Sequence, residues 1–242
     1  MSVFTSMMRS LPACLAALAT LYGAHARGAD LSGYWMLDTQ HSDPWPGDVQ
    51  LTEAASDRVK HFAPATQDPT RVCMPFGMPR VMSAVAAYPM EIVQTDAQVT
   101  LLFDSHDEIR RVFVGKRKPE ADRIVSWLGH SAGRWDGDVL VVETTHMHEA
   151  TLASASGVPH SPGLRVTERL QLIDGGRTLR NDMTLTDPAS FAQPVTRRLI
   201  YMRAPETQPV EFHCAEQMWL DHVMQRAKEL TREIAKERKG TQ

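Results

Sequence analysis

A period of two in side-chain character runs through the middle of this chain, and it excludes more folds than any other feature. Val99, Leu101 and Phe103 alternate with Thr100, Leu102 and Asp104, and Val112 and Val114 follow after a turn at Ser105–Glu108. Alternation of this kind places side chains on the two faces of a half-buried strand. Residues 131–135, then Asp136-Gly137, then residues 138–145 read as a hairpin, since Asp-Gly between two strand-like runs is the strongest short-range hairpin signal. Residues 164–173 and 178–186 flank Asp174-Gly175-Gly176-Arg177 and read as a second hairpin, with residues 195–203 as a further strand. No helix separates these strands, so the sheet is expected to be antiparallel rather than doubly wound. Seven to nine such strands curl into a barrel or a sandwich.

The flanks carry less regular signals. Residues 30–37 read as a first strand, which Pro44-Trp45-Pro46-Gly47 breaks. Residues 51–62 form one short N-terminal amphipathic helix, capped by Thr52 or its neighbours. Residues 64–89 are rich in Pro and Gly and read as an ordered loop, and residues 215–239 as a long, charged C-terminal helix. The expected fold class is mainly β.

Before Arg27 the pattern is that of an export signal. Arg9 is the one charge, an apolar run extends from Leu11 to Tyr22, and Gly23-Ala24-His25-Ala26 supplies small residues for cleavage. Twelve apolar residues are too few to span a bilayer core of about 30 Å. Residues 1–26 are therefore expected to be a signal peptide, residues 27–242 a single domain, and the location periplasmic or secreted. Cleavage after Ala29 is the alternative to cleavage after Ala26.

Removing residues 1–26 takes one arginine and no acid from a chain of net charge −3. The acidic remainder argues against nucleic acid, whose phosphates need clustered Lys and Arg. No later segment reads as a membrane span. Cys73 and Cys214 are the cysteines left, and in an oxidising compartment an isolated pair most simply forms a disulfide. A catalytic thiol is the rival, without a local activating motif.

Strand pairing brings polar groups together. A turn centred on Gly175-Gly176 sets Leu172 opposite Leu179, Leu170 opposite Asn181, Glu168 opposite Met183 and Val166 opposite Leu185. On the other face it matches Arg169 with Asp182, a favourable cross-strand charge pair. Glu168 and Asn181 then face the apolar side, where a carboxylate needs a partner or a proton. It acts either as an acid–base group or as a structural glutamate held by Arg134, Arg197 or backbone. A type I′ turn at Asp136-Gly137 sets Arg134 opposite Val139 and His130 opposite Glu143, a pair in which the carboxylate orients the imidazole. If that face also points inward, His130, Glu143 and Glu168 converge in one cavity; otherwise the pair sits at the rim. His146 and His148, at i and i+2 of a strand, offer two imidazoles to zinc but lack a third ligand at a fixed spacing. His160, on the stiff Val158-Pro159-His160-Ser161-Pro162 loop, is placed to touch a ligand. The chain has no nucleotide loop, dinucleotide fingerprint or Gly-x-Ser-x-Gly elbow, and no cofactor is implied.

The run Gly129-His130-Ser131-Ala132-Gly133-Arg134-Trp135-Asp136-Gly137-Asp138, continuing into Leu140-Val141-Val142-Glu143-Thr144, resembles a family of exported, uncharacterised bacterial proteins. Cys73-Met74-Pro75, Gly77-Met78-Pro79-Arg80, Pro159-His160-Ser161, Val166-Thr167-Glu168-Arg169 and residues 211–214 match its other blocks. Arg165 stands where members often have histidine, and His146 or His148 where they usually have phenylalanine. The resemblance implies a lipocalin-like β-barrel and export, and no established activity.

Two functional classes follow. One is a cofactor-independent acid–base enzyme (a lyase, hydratase, isomerase or hydrolase) acting on a small, partly apolar molecule. There His130 is the general base, Glu143 its orienter and Glu168 a proton donor, while His160, Asn181 and Arg134 position substrate. The other is a carrier or sensor whose polar groups anchor a ligand. The surplus of ionisable groups tilts the expectation toward the enzyme.

Overall fold

The computed structural model describes residues 28–84, 88–115, 124–209, 212, 214, 221 and 223–232. The expected signal peptide at residues 1–26 lies outside them, as does most of the expected C-terminal helix; within 215–239, residues 221 and 223–232 are helical.

Nine strands follow one another around a closed barrel: β1 (Gly33–Leu37), β2 (Met90–Gln94), β3 (Gln98–Phe103), β4 (Glu108–Val114), β5 (His130–Asp136), β6 (Val139–Thr145), β7 (Arg165–Ile173), β8 (Thr178–Thr186) and β9 (Val195–Arg203). The period of two is visible in burial: β3 and β4 alternate between buried and more accessible residues along their length. The alternating side chains converge on one core that includes Trp35, Ile92, Leu101, Phe103, Leu140, Val142, Leu170, Leu179 and Leu199. Burying each of the larger ones contributes roughly 1.5–3 kcal/mol.

The sheet is mixed, which corrects the antiparallel expectation. β4 and β5 pair in parallel at Val112–Ser131, Phe113–Ala132 and Val114–Gly133, whereas the other neighbours are antiparallel. The reason is topological. Strand directions cannot alternate all the way around a ring with an odd number of members, so a nine-stranded barrel needs a parallel seam. β1 closes the ring by pairing β2 on one side and β9 on the other, with Trp35 against Arg203 and Leu37 against Tyr201. Arg203 ties this closure: its guanidinium lies 4.4 Å from the Trp35 ring and donates to the Ser32 and Gly176 carbonyls.

The β7–β8 register is the expected one, from Val166–Leu185 to Leu172–Leu179, although the strands stay paired to Ile173–Thr178 and leave four residues in the loop. The β5–β6 register differs from expectation. Asp136 pairs with Val139, so the two turn residues are Gly137 and Asp138, and Ala132 rather than His130 lies opposite Glu143. Gly137 has φ +61°, at the first turn position where a type II′ turn calls for glycine.

Between β1 and β2 the chain closes one side of the barrel. Thr52 accepts from the Ala55 N–H and caps α1 (Glu53–Lys60), which has Glu53 in its first turn and Arg58 and Lys60 in its last, each sign favoured by the helix dipole. The expected loop at residues 64–89 holds α2 (Pro64–Gln67), a 3-10 turn (Pro69–Val72) and α3 (Val81–Ala84). It is held at three points. Cys73 is bonded to Cys214, with Cα atoms 5.7 Å apart. Arg80 and Asp68 form a two-bond ion pair at 2.8 and 2.7 Å. Glu108, buried at the start of β4, accepts from the backbone N–H of Phe76 and Gly77. Gly77 is required there: at φ +63° a Cβ would stand 2.6 Å from the Trp127 carbonyl oxygen. So anchored, Met78, Val81 and Met82 enter the core without exposure.

Candidate functional site

Inside the barrel the polar groups are few and concentrated. Arg110 on β4, Ser131 on β5, Thr144 on β6, Glu168 on β7, Asn181 on β8 and Tyr201 on β9 are all buried. Strand alternation explains why they share the inside: Arg110 is two residues from Val112, Glu168 lies between Val166 and Leu170, and Asn181 lies between Leu179 and Met183.

Arg110 is the hub. Its Nη1 donates to Glu168 Oε1 at 3.1 Å, and its Nη2 to Glu168 Oε2, so the carboxylate is gripped by the guanidinium fork. Nη2 also donates to Thr144 Oγ1 at 2.9 Å, and Nε to Ser131 Oγ at 3.1 Å. The fifth donor meets the Met82 thioether, with Nη1 3.3 Å from Sδ. Asn181 Nδ2 adds a third bond to Glu168 at 2.9 Å, and the Ser131 and Thr144 hydroxyls stand 2.9 Å apart. Tyr201 donates its phenol to the Met82 carbonyl at 2.6 Å, fixing α3 over the network. Burial, reinforced by the Glu168 charge, holds that phenol well above its ordinary range. Two contacts are poor ones for so buried a place. A thioether is a weak acceptor for a guanidinium, and Asn181 Oδ1 has no hydrogen-bond partner.

The expected inward orientation of Glu168 and Asn181 is what the structure has. The partner of Glu168 is neither Arg134, exposed on the outer face of β5, nor Arg197, which donates to Ser83 Oγ and the Asp43 carbonyl. Arg110 was the residue missed, although its place two before Val112 in an alternating strand signals it.

His130 and Glu143 do not join this network, which corrects the expected convergence. Both are on the outer face with Ala132 and Arg134, because neighbouring Ser131 and Val142 take the inside. His130 Nε2 lies 2.8 Å from the Ile124 carbonyl, and Glu143 is ion-paired with Arg165. The two-residue change in register left side-chain parity intact, so it moved no side chain through the sheet.

His160 is 2% exposed and has both ring nitrogens occupied, Nδ1 against the Ser161 carbonyl at 3.0 Å and Nε2 against Thr151 Oγ1 at 2.7 Å. A carbonyl only accepts, so Nδ1 carries the proton, while Nε2 contacts the Thr151 hydroxyl, which also donates to the His148 carbonyl at 2.9 Å. Burial pushes the imidazole toward its neutral form. His160 is thus a strut of its loop, beside Asp187, which accepts from the Ser161 N–H and hydroxyl.

The premise for zinc at His146 and His148 also changes. β6 ends at Thr145, and His146 has φ +59°, so the two residues are not i and i+2 of one strand. His148 stacks on Trp127 at 4.5 Å, while His146 meets His130 edge-on and bonds Thr145 Oγ1. Among the described residues, no three His, Cys, Asp or Glu side chains group as a metal site. No described helix is long and apolar enough to cross a membrane.

No family model and no curated protein matches this chain. Among solved structures it is similar to human cRBP IV, at 16% identity over 73% of this chain and 99% of that one, with a TM-score of 0.35. So distant a likeness carries no weight for function, which has to be argued from the site.

Proposed function

We propose that this protein is an exported carrier or sensor, lipocalin-like in kind, which binds a small, partly apolar molecule inside the barrel beneath α3. The observation that supports it is the contact between Arg110 and Met82. The guanidinium is buried and otherwise bound to oxygens, and its fifth hydrogen points to a sulfur that accepts weakly. A ligand oxygen that displaced Met82 would make a stronger bond there, with the apolar wall of the core around its body. Asn181 Oδ1 offers an acceptor on the same network. The acid–base enzyme is the less supported function, because His130 and Glu143 stand on the outer face, away from Glu168. Export is proposed from the pattern of residues 1–26, with which the Cys73–Cys214 bond agrees.

Native mass spectrometry of protein purified without denaturation tests this function, together with titration of a fluorescent apolar probe. Retained mass, or saturable probe binding that Met82→Trp blocks, is the expected result. A protein that is empty and binds no probe would refute the carrier.

A further inference from the structure

The balance of charge around Arg110 carries the proposed function one step further, to the chemistry of the ligand. Arg110 and Glu168 are 1% and 0% exposed in their side chains and share two hydrogen bonds, so the pair is neutral as a unit. The other groups in contact are uncharged: Ser131, Thr144 and Asn181 cannot ionise, and Tyr201 uses its proton on the Met82 carbonyl. The remaining charged groups of the inner face make their hydrogen bonds outside this network, although Arg197 keeps a buried Nε without a hydrogen-bond partner. Glu108 accepts from Phe76 and Gly77, with the Arg80–Asp68 pair beside the same segment, and Arg197 donates to Asp43 and Ser83.

The position a ligand would take by displacing Met82 is the one its Sδ occupies on Nη1, and that same nitrogen holds Glu168 Oε1 at 3.1 Å. An anion on Nη1 would therefore lie next to a buried carboxylate, in a medium too poor in water to screen the repulsion. A cation would face the guanidinium. An uncharged oxygen meets neither obstacle. We infer that the barrel selects uncharged ligands whose polar end offers a hydrogen-bond acceptor, an alcohol, carbonyl or ester, and rejects the carboxylate of the same carbon skeleton. The inference rests on ligand binding beneath α3 as proposed above, and Glu168 is its specificity-determining residue.

Calorimetric titration at pH 8 with decan-1-ol, methyl decanoate, decanoate and decylammonium tests it. The alcohol and the ester are expected to bind at least tenfold more tightly than either ion. In Glu168→Gln, which keeps the shape and leaves Arg110 uncompensated, decanoate is expected to gain at least tenfold while the alcohol changes by less than threefold. The wild-type comparison of ester with carboxylate stands alone if that variant does not fold. Decanoate binding as tightly as the ester would overturn the neutral-ligand rule and leave the carrier standing. If none of the four compounds binds, both fall.

Discussion

Breaking the Arg110–Glu168 pair from one side should do far more harm than removing it altogether. Arg110→Met takes both guanidinium bonds from a carboxylate with no exposure and leaves Asn181 Nδ2, at 2.9 Å, to hold it. Ser131 and Thr144 lose a donor each but keep one another at 2.9 Å, so the stranded charge dominates the cost. Removing one member of a buried pair costs about 3–5 kcal/mol, and Glu168→Met should cost as much by stranding the guanidinium. The double variant Arg110→Met/Glu168→Met buries no charge, replaces each side chain with an apolar one of comparable reach, and should be near neutral or stabilised by about 1–4 kcal/mol. The cycle then gives a coupling of at least 5 kcal/mol by these magnitudes, larger than for most contacting pairs. For a domain of this size 1 kcal/mol moves Tm by roughly 2–4 °C, so each single variant should melt on the order of 10 °C lower. Urea unfolding followed by tryptophan fluorescence, with thermal melts by circular dichroism, measures all four corners. Single losses under about 1 kcal/mol, or a double variant that simply adds the two, would show that the pair is not the desolvated hub described.

Three other outcomes are expected. Burial raises the Glu108 carboxyl to about 7, above its unfolded value, so the folded state binds that proton more tightly; stability from this group is full below the unfolded value and is lost as pH rises through about 7. Denaturant midpoints at pH 5 and pH 8 should therefore differ more in wild type than in Glu108→Gln, and equal slopes would contradict the assignment. Reducing Cys73–Cys214 opens a loop spanning 141 residues, worth about 5 kcal/mol in the chain-entropy model, so melting with and without dithiothreitol should show a clear drop in Tm. His130→Ala and Glu143→Gln, on the outer face, should leave stability within about 0.5 kcal/mol and leave probe binding unchanged; loss of binding would return them to the site.

The β7–β8 hairpin was legible because two faces constrain it together: the register that places Glu168 and Asn181 among leucines also sets Arg169 against Asp182. The β5–β6 hairpin had only its turn signal, and Asp136-Gly137-Asp138 contains two dipeptides that can make the turn. Choosing the wrong one displaced His130 from Glu143 yet kept its face. Whether that face was inner or outer could not follow from one hairpin, since it depends on Ser131 and Val142 meeting strands far away in sequence. Arg110 carried two conflicting signals, an inward position two before Val112 and a residue type that points outward. An arginine in a strand ordinarily signals the solvent side, and the carboxylate that makes this one tolerable indoors is on β7. The parallel seam needed only a count of strands, but that count became definite with β1 and β2 in place.

The closure of β1 on β9 has a consequence for how the molecule is made. Trp35 and Arg203 belong to the first and last strands of the barrel, so a growing polypeptide presents β1 with one flank unpaired until nearly all the barrel has emerged. A product truncated before residue 195 would keep two open edges, on β1 and β8, each a template for joining another molecule. The last strand thus has a role in biogenesis: until it arrives, every copy is a candidate for intermolecular assembly.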